Sequence, residues 1–235
     1  MRSLHDLLRD ARNLLLDPLQ GELAPLFAQE DRLGELTARL LVYGRQGPPD
    51  RLPPPSFAGE ITPLPAAAFA PFRPAVAAWH TDPDSPVVVG LLADALATAG
   101  VSGVLVLLGQ RLTSASLTDG RAVPPPRATL LASAGEVHGG GDRLSVAGRA
   151  LAKHAHRSPS AFWGVVTGGS DEKNAAAERM LRHLLDQATW WNVFGHFKHE
   201  TVFEVRVPTG HGARWGHAGR EFIGFLEPFV DKSPA

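Results

Sequence analysis

The chain of 235 residues has no cysteine. That absence excludes disulfides, thiolate nucleophiles, iron–sulfur clusters and cysteine-ligated zinc. An excess of charge is missing too. Lys and Arg number 23 against 24 Asp and Glu, for a formal net charge of −1. With no global positive field to draw in a polyanion, the composition argues against nucleic acid as a partner. The chain also lacks a clean apolar span. Its longest stretch, "PVVVGLLADALATAGVSGVLVLLG", contains Asp94 and is divided by Pro86, Gly100 and Gly103. It reads as a buried helix up to residue 99 followed by a buried strand at 103–109, so no membrane contact is expected. The opening "MRSLHDLLRDARNLLLDPL" alternates charge with leucine and has no secretory h-region. These features predict a soluble, cytoplasmic protein.

Several catalytic signatures are absent as well. There is no GxxxxGK[ST], no GxGxxG, no HExxH and no GxSxG, so no local motif names a cofactor or a reaction. Whether the chain is an enzyme is left open by the motifs alone. "TGGSDEKN" (167–174) and "HGGGD" (138–142) are glycine-rich and precede helical patterns. Free N–H groups at such helix starts suit an anion, and Lys173 adds charge. However, Asp171 and Glu172 already supply the negative charge that a helix start favours, so capping by Ser170 or Asp171 is the stronger expectation.

What is present divides by texture. Residues 1–47 carry leucines at helical spacing and form an N-terminal helical segment ended by Gly44 and Gly47. Residues 48–74 form a proline-rich connector, with seven prolines between 48 and 65. Residues 75–235 mix helical and strand patterns, with the N-terminal helices packed on them as one unit. Asp119-Gly120 reads as a hairpin turn. "ATLLASAGEV" (128–137) and "AFWGVV" (161–166) read as strands, and "SDEKNAAAERMLRHLLDQATWW" as a helix. The stretch from "HETVFEVRVP" through "GARW" to "REFIGFLEPF" reads as a three-stranded meander. The expected class is α+β, a mixed or antiparallel sheet packed by helices and ending in an antiparallel meander.

Reactive side chains crowd the last hundred residues, which hold eight of the ten histidines and four of the five tryptophans. The helical pattern before residue 157 turns His154 inward with Leu144, Ala147 and Leu151. On the strand "ETVFEVRV", Glu204 and Arg206 share one face, either as a solvated surface or as a polar floor. His211 lies between Gly210 and Gly212, where backbone can approach a ligand closely. Arg214 and Trp215 follow on the next strand. The resulting expectation is a cleft in which His154, Glu204 and His211 move protons. Arg206, Arg214, Trp215 and Lys173 would there hold a small anionic ligand bearing phosphate or carboxylate. One alternative is a metal-dependent hydrolase using His196 and His199 with His211 or Glu204. Another is an interaction module that uses the leucine-rich helices, with homo-oligomers in view. His80, Asp82 and Asp84 read as turn and cap chemistry rather than a metal site.

Overall fold

A computed structural model describes residues 2–139, 143–158 and 160–229. The chain gathers into two compact units that interleave along the sequence. One comprises Met1–Leu52, Ile61–Arg111 and Leu117–Val123; the other comprises Pro53–Glu60, Leu112–Ser116 and Pro124–Ala235.

The first unit is helical. α1 (Leu4–Arg12) starts where Ser3 Oγ accepts from the Asp6 N–H at 3.1 Å, and it buries Leu4, Leu7, Leu8 and Ala11. α2 (Leu19–Phe27) and α3 (Glu30–Gln46) follow, then α4 (Pro65–Phe69), α5 (Arg73–Thr81) and α6 (Val87–Leu107). Gly44 lies inside α3 rather than ending it, and its missing Cβ makes room for α5, since a Cβ there would come within 2.5 Å of Val76. Gly47, in the left-handed region, caps the helix. α6 packs against α1, α4 and α5 and is apolar on most sides, as a central helix should be. By length and composition it is also apolar enough to cross a membrane. Gly100 breaks it (φ 60°, ψ −176°), and residues 103–107 continue as helix, not as the expected strand. A short, fully apolar run has no periodicity to separate the two conformations. The Asp119-Gly120 pair forms a 3-10 turn and not a hairpin, with the Asp119 carboxylate accepting from the Arg121 N–H.

The second unit is α+β. α7 (Arg127–Gly135), α8 (Val146–Arg157) and α9 (Ser170–Asp186) precede β1 (Trp190–His196), β2 (Glu200–Arg206), β3 (Gly212–Gly216) and β4 (Glu221–Leu226). The strands form one antiparallel sheet in sequence order. The expected meander is therefore present with one strand more, since Trp190 and Trp191 open β1 instead of closing a helix. Two expected strands are helical: 128–137 is mostly α7, and 161–163 is a 3-10 turn followed by loop. α8 begins at Ser145, whose Oγ accepts from the Gly148 N–H. Gly140 to Asp142, in the second glycine-rich loop, lie outside the described residues. α8 crosses α9 closely, because a Cβ on Gly148 would sit 2.3 Å from Asn174 Oδ1. The turn before α9 is capped internally. Gly168 takes φ 90°, and Glu172 Oε2 reaches back to the Gly169 N–H at 3.0 Å. The cap is thus Gly169 with Glu172, not the side chain of Ser170 or Asp171, and a carboxylate occupies the ground a phosphate would take.

One sheet face carries Phe203, Val205 and Trp215. Trp215 is fully buried and donates from Nε1 to the Leu130 carbonyl of α7 at 3.0 Å. The other face carries Trp190, Asn192, Glu204, Arg206 and Arg214, and it too is covered. Phe57 lies edge-on to Trp190 at 5.0 Å, and Ser116 bridges to Phe194. Glu204 and Arg206 are 1% and 2% exposed, so this is not a solvated face.

Candidate functional site

Two groups of polar side chains emerge in the second unit, on either side of the segment Glu227–Phe229. The first is centred on Glu227. His154, on the last turn of α8, brings Nε2 to 2.8 Å from Glu227 Oε1, and Trp163 Nε1 donates to the same oxygen at 2.9 Å. His211 Nε2 lies 3.4 Å from Oε2. Each ring is held by packing as well. Trp163 meets His154 edge-on at 4.7 Å, and Phe162 stacks on His211 at 4.1 Å. Ser160 Oγ and Thr209 Oγ1 occupy the two ring nitrogens of His211 at 3.0 and 2.9 Å. Gly210, at φ 86°, packs against Pro228 and turns the chain into this position.

Burial disfavours the Glu227 carboxylate. Hydrogen bonds from Ser158 and Trp163 and the two imidazoles outweigh it and hold the group below its ordinary range. Burial also lowers His211 below its ordinary value, against the pull of Glu227 and with help from His154 and Arg206. His211 is nearly enclosed, whereas His154 and Glu227 open into a cleft of about 440 Å³ between α8 and β4. Lys153, Arg157 and Ser158 line the same cleft. An imidazole and a carboxylate in contact, beside two cations, form a set that can hold a phosphodiester and move protons on it.

The second group is centred on Glu204. Its Oε1 accepts from Arg206 Nε at 2.5 Å, and its Oε2 from Arg214 Nε at 2.8 Å and Nη2 at 2.5 Å. Arg206 Nη1 donates to the carbonyls of Gly210 and Glu227, which ties the two groups together. Burial pushes Arg206 below its ordinary value, against the attraction of Glu204. Arg214 is partly open and borders a separate cleft of about 450 Å³.

The residues singled out from sequence thus fall apart in an informative way. His154 and His211 meet through Glu227, while Glu204, Arg206 and Arg214 form the neighbouring cluster. Trp215 is core, out of reach of a ligand. Lys173 sits on the first turn of α9 and lines neither cleft. Glu227, Ser158, Ser160 and Lys153 went unnoticed. Glu227 is a lone carboxylate at a strand end, with no pattern around it.

The metal arrangement expected from sequence does not assemble. His196 and His199 stack at 5.0 Å instead of converging, and His196 Nδ1 accepts from backbone N–H groups. His211 lies at the opposite end of β2 from both, and Glu204 is engaged. A different trio could hold a cation: ligand atoms of His199, His217 and Glu221 lie within 4.8 Å of one another.

Residues 133–227 match the family model of the CdiA C-terminal tRNase toxin domain. The match covers less than half of the chain, and it contains every side chain of the Glu227 cluster. No curated protein and no solved structure matches the chain. The family match overturns the expected small anionic ligand. It also overturns the argument against nucleic acid. The net charge of the whole chain does not report on the cations lining one cleft.

Proposed function

We propose that the matched segment is a ribonuclease domain acting on tRNA, with the His154–Glu227 cleft as its active site. The observation that carries this reading is the coincidence of the tRNase family match with a cleft that holds an imidazole, a carboxylate and two cations. RNA carries its own nucleophile. The 2′-oxygen attacks the adjacent phosphorus, the bond to the 5′-oxygen breaks, and a cyclic phosphate and a 5′-hydroxyl result. The protein must take one proton and give one. Glu227, held ionised by its donors, takes the 2′-hydroxyl proton. A protonated His154 gives its proton to the departing 5′-oxygen. Exchange with solvent then removes the proton from Glu227 and restores the one lost by His154, ready for the next turnover. Lys153 and Arg157 hold the phosphate and offset the charge that develops on its oxygens. His211 positions Glu227 without touching substrate.

The test is cleavage of a total tRNA pool by the full chain, with the product ends analysed. His154→Ala is expected to slow cleavage by about 10²- to 10⁴-fold. The products should carry 5′-hydroxyl ends. Intact tRNA after prolonged incubation, or undiminished cleavage by the variant, would refute the assignment.

A further inference from the structure

The second cleft has features that the proton-transfer chemistry does not use. Phe57, Trp190, Phe194 and Phe229 line it, and its polar lining includes Asn192, Glu204 and Arg214. Its volume of about 450 Å³ lies in the range of small-molecule sites. Trp190 is 3% exposed, yet its indole Nε1 has no acceptor among the described residues. A buried N–H without a partner costs about 1–3 kcal/mol, so its presence at a cleft points to an acceptor that arrives from outside. Arg214 adds a second donor. Its Nε and Nη2 hold Glu204, Nη1 has no partner among the described residues, and the guanidinium lies 5.4 Å from the Phe194 ring centroid. Both oxygens of Glu204 are engaged by guanidinium groups, so the acidic acceptor that would welcome an amino group is already satisfied.

Aromatic walls with a donor-rich edge describe a place for an unstacked nucleobase. Position supports this. Glu227 lines the catalytic cleft and Phe229 lines this one, and two residues of chain span at most about 7 Å. A nucleotide next to the scissile phosphate can reach across that distance. We infer that this cleft is the base-recognition subsite of the same ribonuclease, and that it selects keto bases. Guanine and uracil carry an exocyclic oxygen where adenine and cytosine carry an amino group. Trp190 Nε1–H and the Arg214 guanidinium would donate to the oxygen, and an amino group in its place would leave them unpaired or oppose them. The inference rests on the ribonuclease reading.

The experiment is calorimetric titration of the full chain with the 3′-monophosphates of guanosine, uridine, adenosine and cytidine, alongside tRNA cleavage. The guanosine or uridine nucleotide should bind about tenfold more tightly than the adenosine and cytidine ones. Trp190→Phe keeps the ring and removes the donor, so it should erase most of that preference while retaining binding. Phe194→Ala should weaken all four nucleotides by about tenfold or more. Equal affinities, or a preference unchanged in Trp190→Phe, would overturn the subsite even if tRNA is cleaved in a His154-dependent way. A keto preference that needs Trp190, in a protein that leaves tRNA intact, would uphold base recognition here and remove the ribonuclease.

Discussion

At the scale of single residues, protonation links the Glu227 cluster to stability. Burial holds His211 below 6.5 in the folded chain, so as pH falls the unfolded chain takes up that proton first. The unfolded state binds more protons in this window, and stability therefore drops as the medium is acidified below about 6.5. Glu227, held below 4.5 when folded, contributes stability above that value and loses it as pH falls further. Urea unfolding followed from pH 8 to about 2.5 should show both declines, and His211→Gln should remove the first. Identical profiles for the variant and the parent between pH 7 and 5.5 would contradict the assignment. The histidines were legible in sequence because of their density. Glu227 was not, because what makes it central is the arrival of α8 and of the loop before β3, which no local pattern records.

At the scale of elements, the legible parts were those with strong periodicity. α1, α9 and the alternation of β2 follow directly from the spacing of apolar residues. The misread parts were short and apolar. Residues 103–107 fold as helix in surroundings that bury nearly every side chain, and 128–135 fold as helix with Leu130, Ser133 and Ala134 turned inward; neither run carries a charged face to mark a period. The polar face of β2 carries its own energetic consequence. Glu204→Ala leaves the Arg206 guanidinium buried without its carboxylate, and should cost about 3–5 kcal/mol. Arg214→Ala removes a partner that is partly open to water, and Arg206 stays paired. Its cost should be smaller, about 1 kcal/mol or less. Chemical denaturation of the two variants checks the order; equal losses would mean that Glu204 is not the hub of the cluster.

At the scale of the whole molecule, near-neutral charge conceals a local concentration of cations at one rim, on which the proposed tRNA binding rests. If Lys153 and Arg157 each contact a phosphate, tRNA affinity falls with salt. Replacing both by alanine should flatten the slope of log K against log salt by about 1.4 to 1.8. Filter binding with the His154→Ala protein over a salt series measures this, and an unchanged slope would place the phosphate elsewhere. The class α+β was readable from the mixture of patterns. The interleaving of the two units was not, since prolines between 48 and 65 announce a connector without saying what it lies upon. That interleaving bears on any attempt to dissect the gene. An excised 133–227 fragment would contain all four strands and lack the stretches 53–60 and 112–116, whose Phe57 packs on the far side of the sheet and whose Ser116 pairs with the edge strand β1. Such a trimmed domain would meet water across its arginine ladder and along the open backbone of its outermost strand. Minimal versions of this domain will therefore be sticky and poorly behaved unless those two distant ribbons travel with them.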